Sequence, residues 1–167
     1  MKYKEKGQSL VEAIIALTAA ILVVSSIVAA VIIALNNAQY SKYQNLATQY
    51  AQEGIEVVKK ISVANWASFI LLPRYRCLDD LYIWSDQPCI ANVYGVGTPQ
   101  TKIFRRSIEI EQSASDCNPV GCSSNCSAKV ISTVSWSDSK CTSASDIYCH
   151  SVVLKTCISR SQNVSLP

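Results

Sequence analysis

The chain has 167 residues, 49% of them apolar, and a formal net charge of +3. That length suits one domain of ordinary size. Lys2, Lys4 and Lys6 against Glu5 supply +2 of the charge, and the +1 left over excludes a strongly basic nucleic-acid surface.

The apolar residues are unevenly placed. Ala13 to Leu35 is a run of 23 residues without a charge. About 20 apolar residues carry a helix across a bilayer core, so this run can span one. A secretory signal would have a shorter apolar stretch and a small-residue cleavage site, whereas here helical pattern continues directly from the far end. Lysines just ahead of a spanning segment favour a cytoplasmic N-terminus. The polar remainder then lies outside, as an anchored head.

Residues 8–65 read as one helix, since the first proline is Pro73. At about 1.5 Å per residue it would reach roughly 85–90 Å. Residues 8–35 form its membrane half and 36–65 its amphipathic half. In the second half Leu46, Tyr50, Gly54, Val57, Val58 and Ile61 recur at helical spacing. Lys42, Gln49, Gln52, Glu53, Glu56, Lys59 and Lys60 fill the other face. Gly54 costs about 1 kcal/mol in a helix interior, which points to close strand packing there.

Residues 66–102 read as irregular, broken by Pro73, Pro88, Gly95, Gly97 and Pro99. Trp66, Phe69, Ile70, Leu71 and Leu72 are candidate core, and Tyr75, Tyr82, Trp84 and Tyr94 would cover it. Strands are predicted near 102–112, 128–138 and 149–160. Phe104, Ile108 and Ile110 face one way in the first, Val130, Val134 and Trp136 in the second, and Val152, Leu154 and Ile158 in the third. Arg105 and Arg106 read as a solvated basic pair. With no second helix for a parallel crossover, the expectation is an α+β head on residues 66–167 with an antiparallel sheet.

All eight cysteines (Cys77, Cys89, Cys117, Cys122, Cys126, Cys141, Cys149 and Cys157) follow the apolar run. Their even number fits an oxidising compartment and up to four disulfides, with 105 connectivities open. Cys117, Cys122 and Cys126 are unevenly spaced for zinc and His150 is the sole histidine, so no metal or cofactor is expected. Nor is an enzyme: His150 has no evident nucleophile, and adjacent Asp79 and Asp80 suit a turn. Asn125 and Asn163 match a glycosylation triplet that arises readily by chance.

Glu12 is left over. A plain anchor has no use for a carboxylate at the start of its apolar run, where it wants a partner. The stretch KGQSLVEAIIAL resembles the N-terminal signature of type IV prepilins and pseudopilins. The resemblance implies cleavage by a membrane prepilin peptidase between Gly7 and Gln8, releasing residues 1–7 as a cytoplasmic leader. It further implies N-methylation of Gln8, with Glu12 standing fifth in the mature chain as the assembly residue. LATQYAQEGIEVVKKI followed by NW is similar to PilV-like minor pilins, and the last two strands resemble theirs more loosely.

The implied fold is pilin-like: a long N-terminal helix on a small antiparallel sheet with disulfide-rich loops. Implied partners are other pilin subunits, the peptidase/methyltransferase and the inner-membrane assembly machinery. The implied location is the inner membrane, single-pass, and then an extracellular filament. Gln8 replaces the family's usual phenylalanine, and the membrane half lacks the glycine and proline of many major pilins, which favours a minor subunit. A non-polymerising anchored ectodomain and a pseudopilin of a secretion or DNA-uptake system are the rival readings.

Overall fold

A computed structural model describes residues 6–85, 89, 95–96, 103–112, 115–117, 126–138, 141 and 148–160, with side chains among these except at 6–9, 95 and 115. Residues 1–5 of the expected leader, Tyr94, Cys122, Asn125 and Asn163 lie outside the described residues. The chain divides into two compact units, Met1–Lys42 and Tyr43–Pro167.

With no proline to break it, helix α1 runs unbroken over Lys6–Ala64. In the first unit its described side chains, from Leu10 to Lys42, are all exposed. The hydroxyls that interrupt the apolar surface are satisfied within the helix. Thr18 Oγ1 donates to the Ile15 carbonyl (2.9 Å), Ser25 Oγ to that of Ile21 (2.8 Å), and Ser26 Oγ to that of Val23 (2.7 Å). Such back-bonding leaves no stray donor facing an apolar medium.

In the second unit, the rest of α1 packs on a six-stranded sheet. The strands are β1 (Tyr75–Leu78), β2 (Trp84–Ser85), β3 (Gly95–Val96), β4 (Phe104–Gln112), β5 (Ser127–Trp136) and β6 (His150–Ser159). Every pairing is antiparallel, in the order β2-β1-β4-β5-β6, with β3 also on β4. The head is therefore α+β. Residues 66–102 are more ordered than their prolines suggest, for they hold β1, β2, β3 and the short helix α2 (Trp66–Ile70). Asn65 caps α2, its side chain accepting from the Ser68 N–H at 3.0 Å. Phe69 is fully buried beneath α2, while Leu71, read as core, is 82% exposed at the helix end.

The buried stripe of α1 is centred on smaller residues than the sequence pattern picks out. Ala47, Ala51, Gly54, Ile55, Val58 and Ser62 face the sheet, while Leu46, Tyr50, Val57 and Ile61 line its flanks. Small residues let the helix backbone approach closely. A Cβ on Gly54 would stand 3.0 Å from Arg106 Cδ, Ile108 Cδ1 and Ser132 Oγ, tighter than packing tolerates without a shift.

Two apolar clusters result. One gathers Val58, Phe69, Leu78, Ile108, Ile110, Ala128, Val130 and Ile158. The other gathers Ala47, Ala51, Val96, Phe104, Val134 and Trp136. Between them, under Gly54, lie two polar residues with no exposed surface, Arg106 and Ser132. Arg106 alternates in register with Phe104, Ile108 and Ile110, so it points into the core and is not the solvated residue its type suggested.

Candidate functional site

Gly7 and Gln8 lie in the first turns of α1. Glu12, one turn further, is exposed and makes no hydrogen bond or ion pair to a described residue. It is the sole charged residue between Leu10 and Ser41. Around it Leu10, Val11, Ile14, Ile15 and Leu17 each keep more than half their surface exposed. In the first unit, α1 is the one described helix long and apolar enough to cross a membrane. Chemically this is a lipid-soluble rod with one carboxylate near its start. A carboxylate placed so finds stability only by meeting water, a headgroup or a cation from outside its own helix.

The head is built for permanence. Disulfides join Cys77 to Cys89, Cys117 to Cys157, and Cys141 to Cys149. Cys126 is disulfide-bonded as well, and no described cysteine is free. The pairs divide the labour. Cys77–Cys89 ties strand β1 to the chain beyond β2, Cys117–Cys157 pins the 3-10 turn Ser115–Cys117 to β6, and Cys141–Cys149 closes the connection between β5 and β6.

Arg106 is the residue that sequence reasoning missed. Its Nε donates to the Leu78 carbonyl (3.2 Å), Nη2 to that of Asp79 (2.6 Å), and Nη1 to that of Tyr50 (2.9 Å). Nη1 also meets Glu53 Oε2 at 3.0 Å. Burial lowers the Arg106 pKa, and the hydrogen bond and charge of Glu53 oppose that fall. A guanidinium stays protonated in any case, so the head holds a buried cation bound by three carbonyls and one carboxylate.

Glu53 is shared. Its Oε1 accepts from the Tyr82 hydroxyl at 2.6 Å, and that hydrogen bond raises the phenol pKa. Tyr82 sits at φ 60°, in the turn between β1 and β2. Asp79 shapes this turn, its Oδ1 accepting from the N–H groups of Leu81 (2.9 Å) and Ile83 (2.7 Å). One arginine therefore locks the helix, the central strand β4 and the β1–β2 turn together. The signal was present in the sequence as a charge in an apolar register.

Outside the core, Arg74 pairs with Glu109 (3.0 Å) and Glu111 (3.1 Å), and Lys129 with Asp116 (2.8 Å). The Glu109 hydrogen bond raises Arg74, and the Lys129 hydrogen bond lowers Asp116. Arg105 lies over the Tyr148 ring, 4.3 Å from its centroid. Of the aromatic residues read as a cover, Trp84 packs against the first apolar cluster, and Tyr75 and Tyr82 are about half exposed. Asp79 and Asp80 lie at the β1–β2 turn, and His150 opens β6.

No family model, curated protein or solved structure matches this chain. The fold is α+β with one membrane-compatible helix, and function must be argued from the residues.

Proposed function

We propose that this chain is a filament subunit of the type IV pilin class, and within it a minor pilin. One observation carries the reading: Gly7 and Glu12 stand five residues apart at the head of the apolar segment of α1. Cleavage after Gly7 would leave a positive amine on Gln8 at the start of an apolar helix. Neither that amine nor the Glu12 carboxylate is welcome alone in a low-dielectric bundle. Stacked subunits relieve both, with Glu12 of one facing the amine of its neighbour. Removing one partner of a buried pair costs about 3–5 kcal/mol, so the pair selects one axial offset between subunits. The exposed apolar surface of residues 10–35 supplies the rest of the bundle contact, and the disulfide-bonded head suits life outside the cell.

The test is coexpression with a prepilin peptidase, followed by intact mass and N-terminal peptide mapping. The expected product lacks Met1–Gly7 and begins with methylated Gln8. A leader retained while a control prepilin is cut would sink the reading. It would leave a single-pass anchored ectodomain as the better account.

A further inference from the structure

We propose that Asp138, Cys141, Cys149 and His150, at one end of the sheet, form a redox-gated binding site for a zinc-class divalent cation. The inference is independent of filament assembly. The Cys141–Cys149 disulfide and the His150 Nε2–Asp138 Oδ2 pair (3.0 Å) would each bring two atoms together separately. The two pairs converge, with all four potential ligand atoms within 4.8 Å of one another. Two sulfurs, one imidazole nitrogen and one carboxylate oxygen are a zinc donor set. Tetrahedral zinc needs such atoms about 3.3–3.8 Å apart, given bond lengths of about 2.0–2.3 Å.

The fold supports this set from outside. His150 lies opposite Trp136 in the β5–β6 register, and the two rings stack at 5.4 Å with 28° between planes, which holds the imidazole. The Cys141 N–H donates to the Asp138 carbonyl (3.2 Å), and the Asp138 N–H points toward Cys141 Sγ (3.4 Å). A backbone N–H aimed at sulfur stabilises a thiolate more than a disulfide. Asp138, Cys141 and His150 are half-buried while Cys149 is exposed, which leaves a way in for an ion.

In the disulfide state the sulfurs are bonded to each other and only the His150–Asp138 pair is offered. A dithiol reductant transfers two electrons and two protons, opening Cys141–Cys149 to two thiols while it closes to its own disulfide. The cation then displaces both thiol protons and binds the two thiolates, the His150 imidazole and the Asp138 carboxylate. Oxidation by an acceptor of two electrons, such as a disulfide, expels it. On the sequence, Cys117, Cys122 and Cys126 are the cysteines weighed as zinc ligands and set aside, and a pattern split between 138–141 and 149–150 has no spacing that marks it.

The experiment uses the full chain in detergent micelles, left oxidised or treated with limiting trialkylphosphine so that Cys141–Cys149 opens while Cys77–Cys89 and Cys117–Cys157 stay closed by peptide mapping, and titrated with Co(II). The reduced protein is expected to show sulfur-to-cobalt charge transfer and tetrahedral d–d bands, which Zn(II) abolishes. The oxidised protein is expected to show neither. His150→Ala, and separately Cys141→Ser with Cys149→Ser, should each weaken binding at least about tenfold. Equal binding by the oxidised protein, or a smaller loss in either variant, overturns the proposal. Should a variant fail to fold, alkylation of the reduced wild type decides. Zn(II) protection of Cys141 and Cys149 supports the site, and equal labelling with and without Zn(II) overturns it.

Discussion

Replacing Glu53 by glutamine removes the charge opposite Arg106 while keeping its shape. Two unit charges about 4 Å apart at an effective dielectric near 20 attract by about 4 kcal/mol. The Glu53 side chain is 39% exposed, so screening takes about half, leaving about 2 kcal/mol. Hydrogen bonds survive in altered form. The amide oxygen can accept from Arg106 Nη1, and the amide nitrogen can donate to the Tyr82 hydroxyl, reversing the bond seen with the carboxylate. For a head of this size, about 4 °C of Tm goes with each kcal/mol, so the expected fall is about 8 °C. All three tryptophans, Trp66, Trp84 and Trp136, lie in the head, so near-ultraviolet circular dichroism at pH 7 reports its melting. The same substitution in an Arg106→Met background should cost almost nothing more. A fall under about 2 °C, or equal falls in both backgrounds, would refute the charge pair as the source of the stability.

Gly54→Val should destabilise the head by about 2 kcal/mol, because its Cβ meets three core atoms at 3.0 Å. Denaturant titration would read this as a lower midpoint with an unchanged slope. Tyr82→Phe should remove an alkaline loss of stability. The phenol pKa is raised in the fold, so its contribution is whole below the unfolded value near 10 and disappears as pH climbs through the folded value. Tm measured between pH 8 and 11 should therefore fall less steeply in the variant. Among the three mapped disulfides, Cys117–Cys157 closes the longest loop, with a sequence separation of 40. Its removal by paired serines should cost about 4 kcal/mol, against about 2.5–3 for either of the others. Equal costs for all three, by thermal melts of the paired-serine variants, would show that loop length is not what matters.

The parts of this fold that sequence made legible are those in which one periodicity persists. Alternation in Phe104–Gln112, Ser127–Trp136 and His150–Ser159 covers the three long strands, and the proline-free stretch covers α1. Strands β2 and β3 have two residues each, too few for any alternation, and exist because β1 and β4 offer them hydrogen-bonding edges. The centre of the helix stripe was displaced for a related reason. Hydrophobicity ranks Leu46 and Tyr50 above Ala47 and Ala51, yet proximity of backbone to sheet is decided by the smaller side chains. Disulfide pairing depended on which loops the sheet brings together, and no spacing rule holds that information. At the N-terminus the position was reversed. The pattern of Gly7, Gln8 and Glu12 is a feature of sequence, and under the proposed function its meaning concerns encounters with other chains.

Arg106 shows why a buried charge can be kept where an apolar residue would pack. Alanine and glycine along α1 make a smooth surface, and two separate apolar clusters would tolerate a helix that slides between them. A slip of one turn, about 5.4 Å, would leave much of the apolar contact in place. It would strand the guanidinium, whose acceptors come from two different elements: the helix at Tyr50 and Glu53, and the end of β1 at Leu78 and Asp79. The penalty falls on the slipped state, since an unpaired buried cation costs several kcal/mol. Gly54 belongs to the same device, because a Cβ there would press on Arg106, Ile108 and Ser132 at 3.0 Å. The polar seam between the clusters thus sets the axial position of the helix on the sheet, which apolar contact alone would leave degenerate.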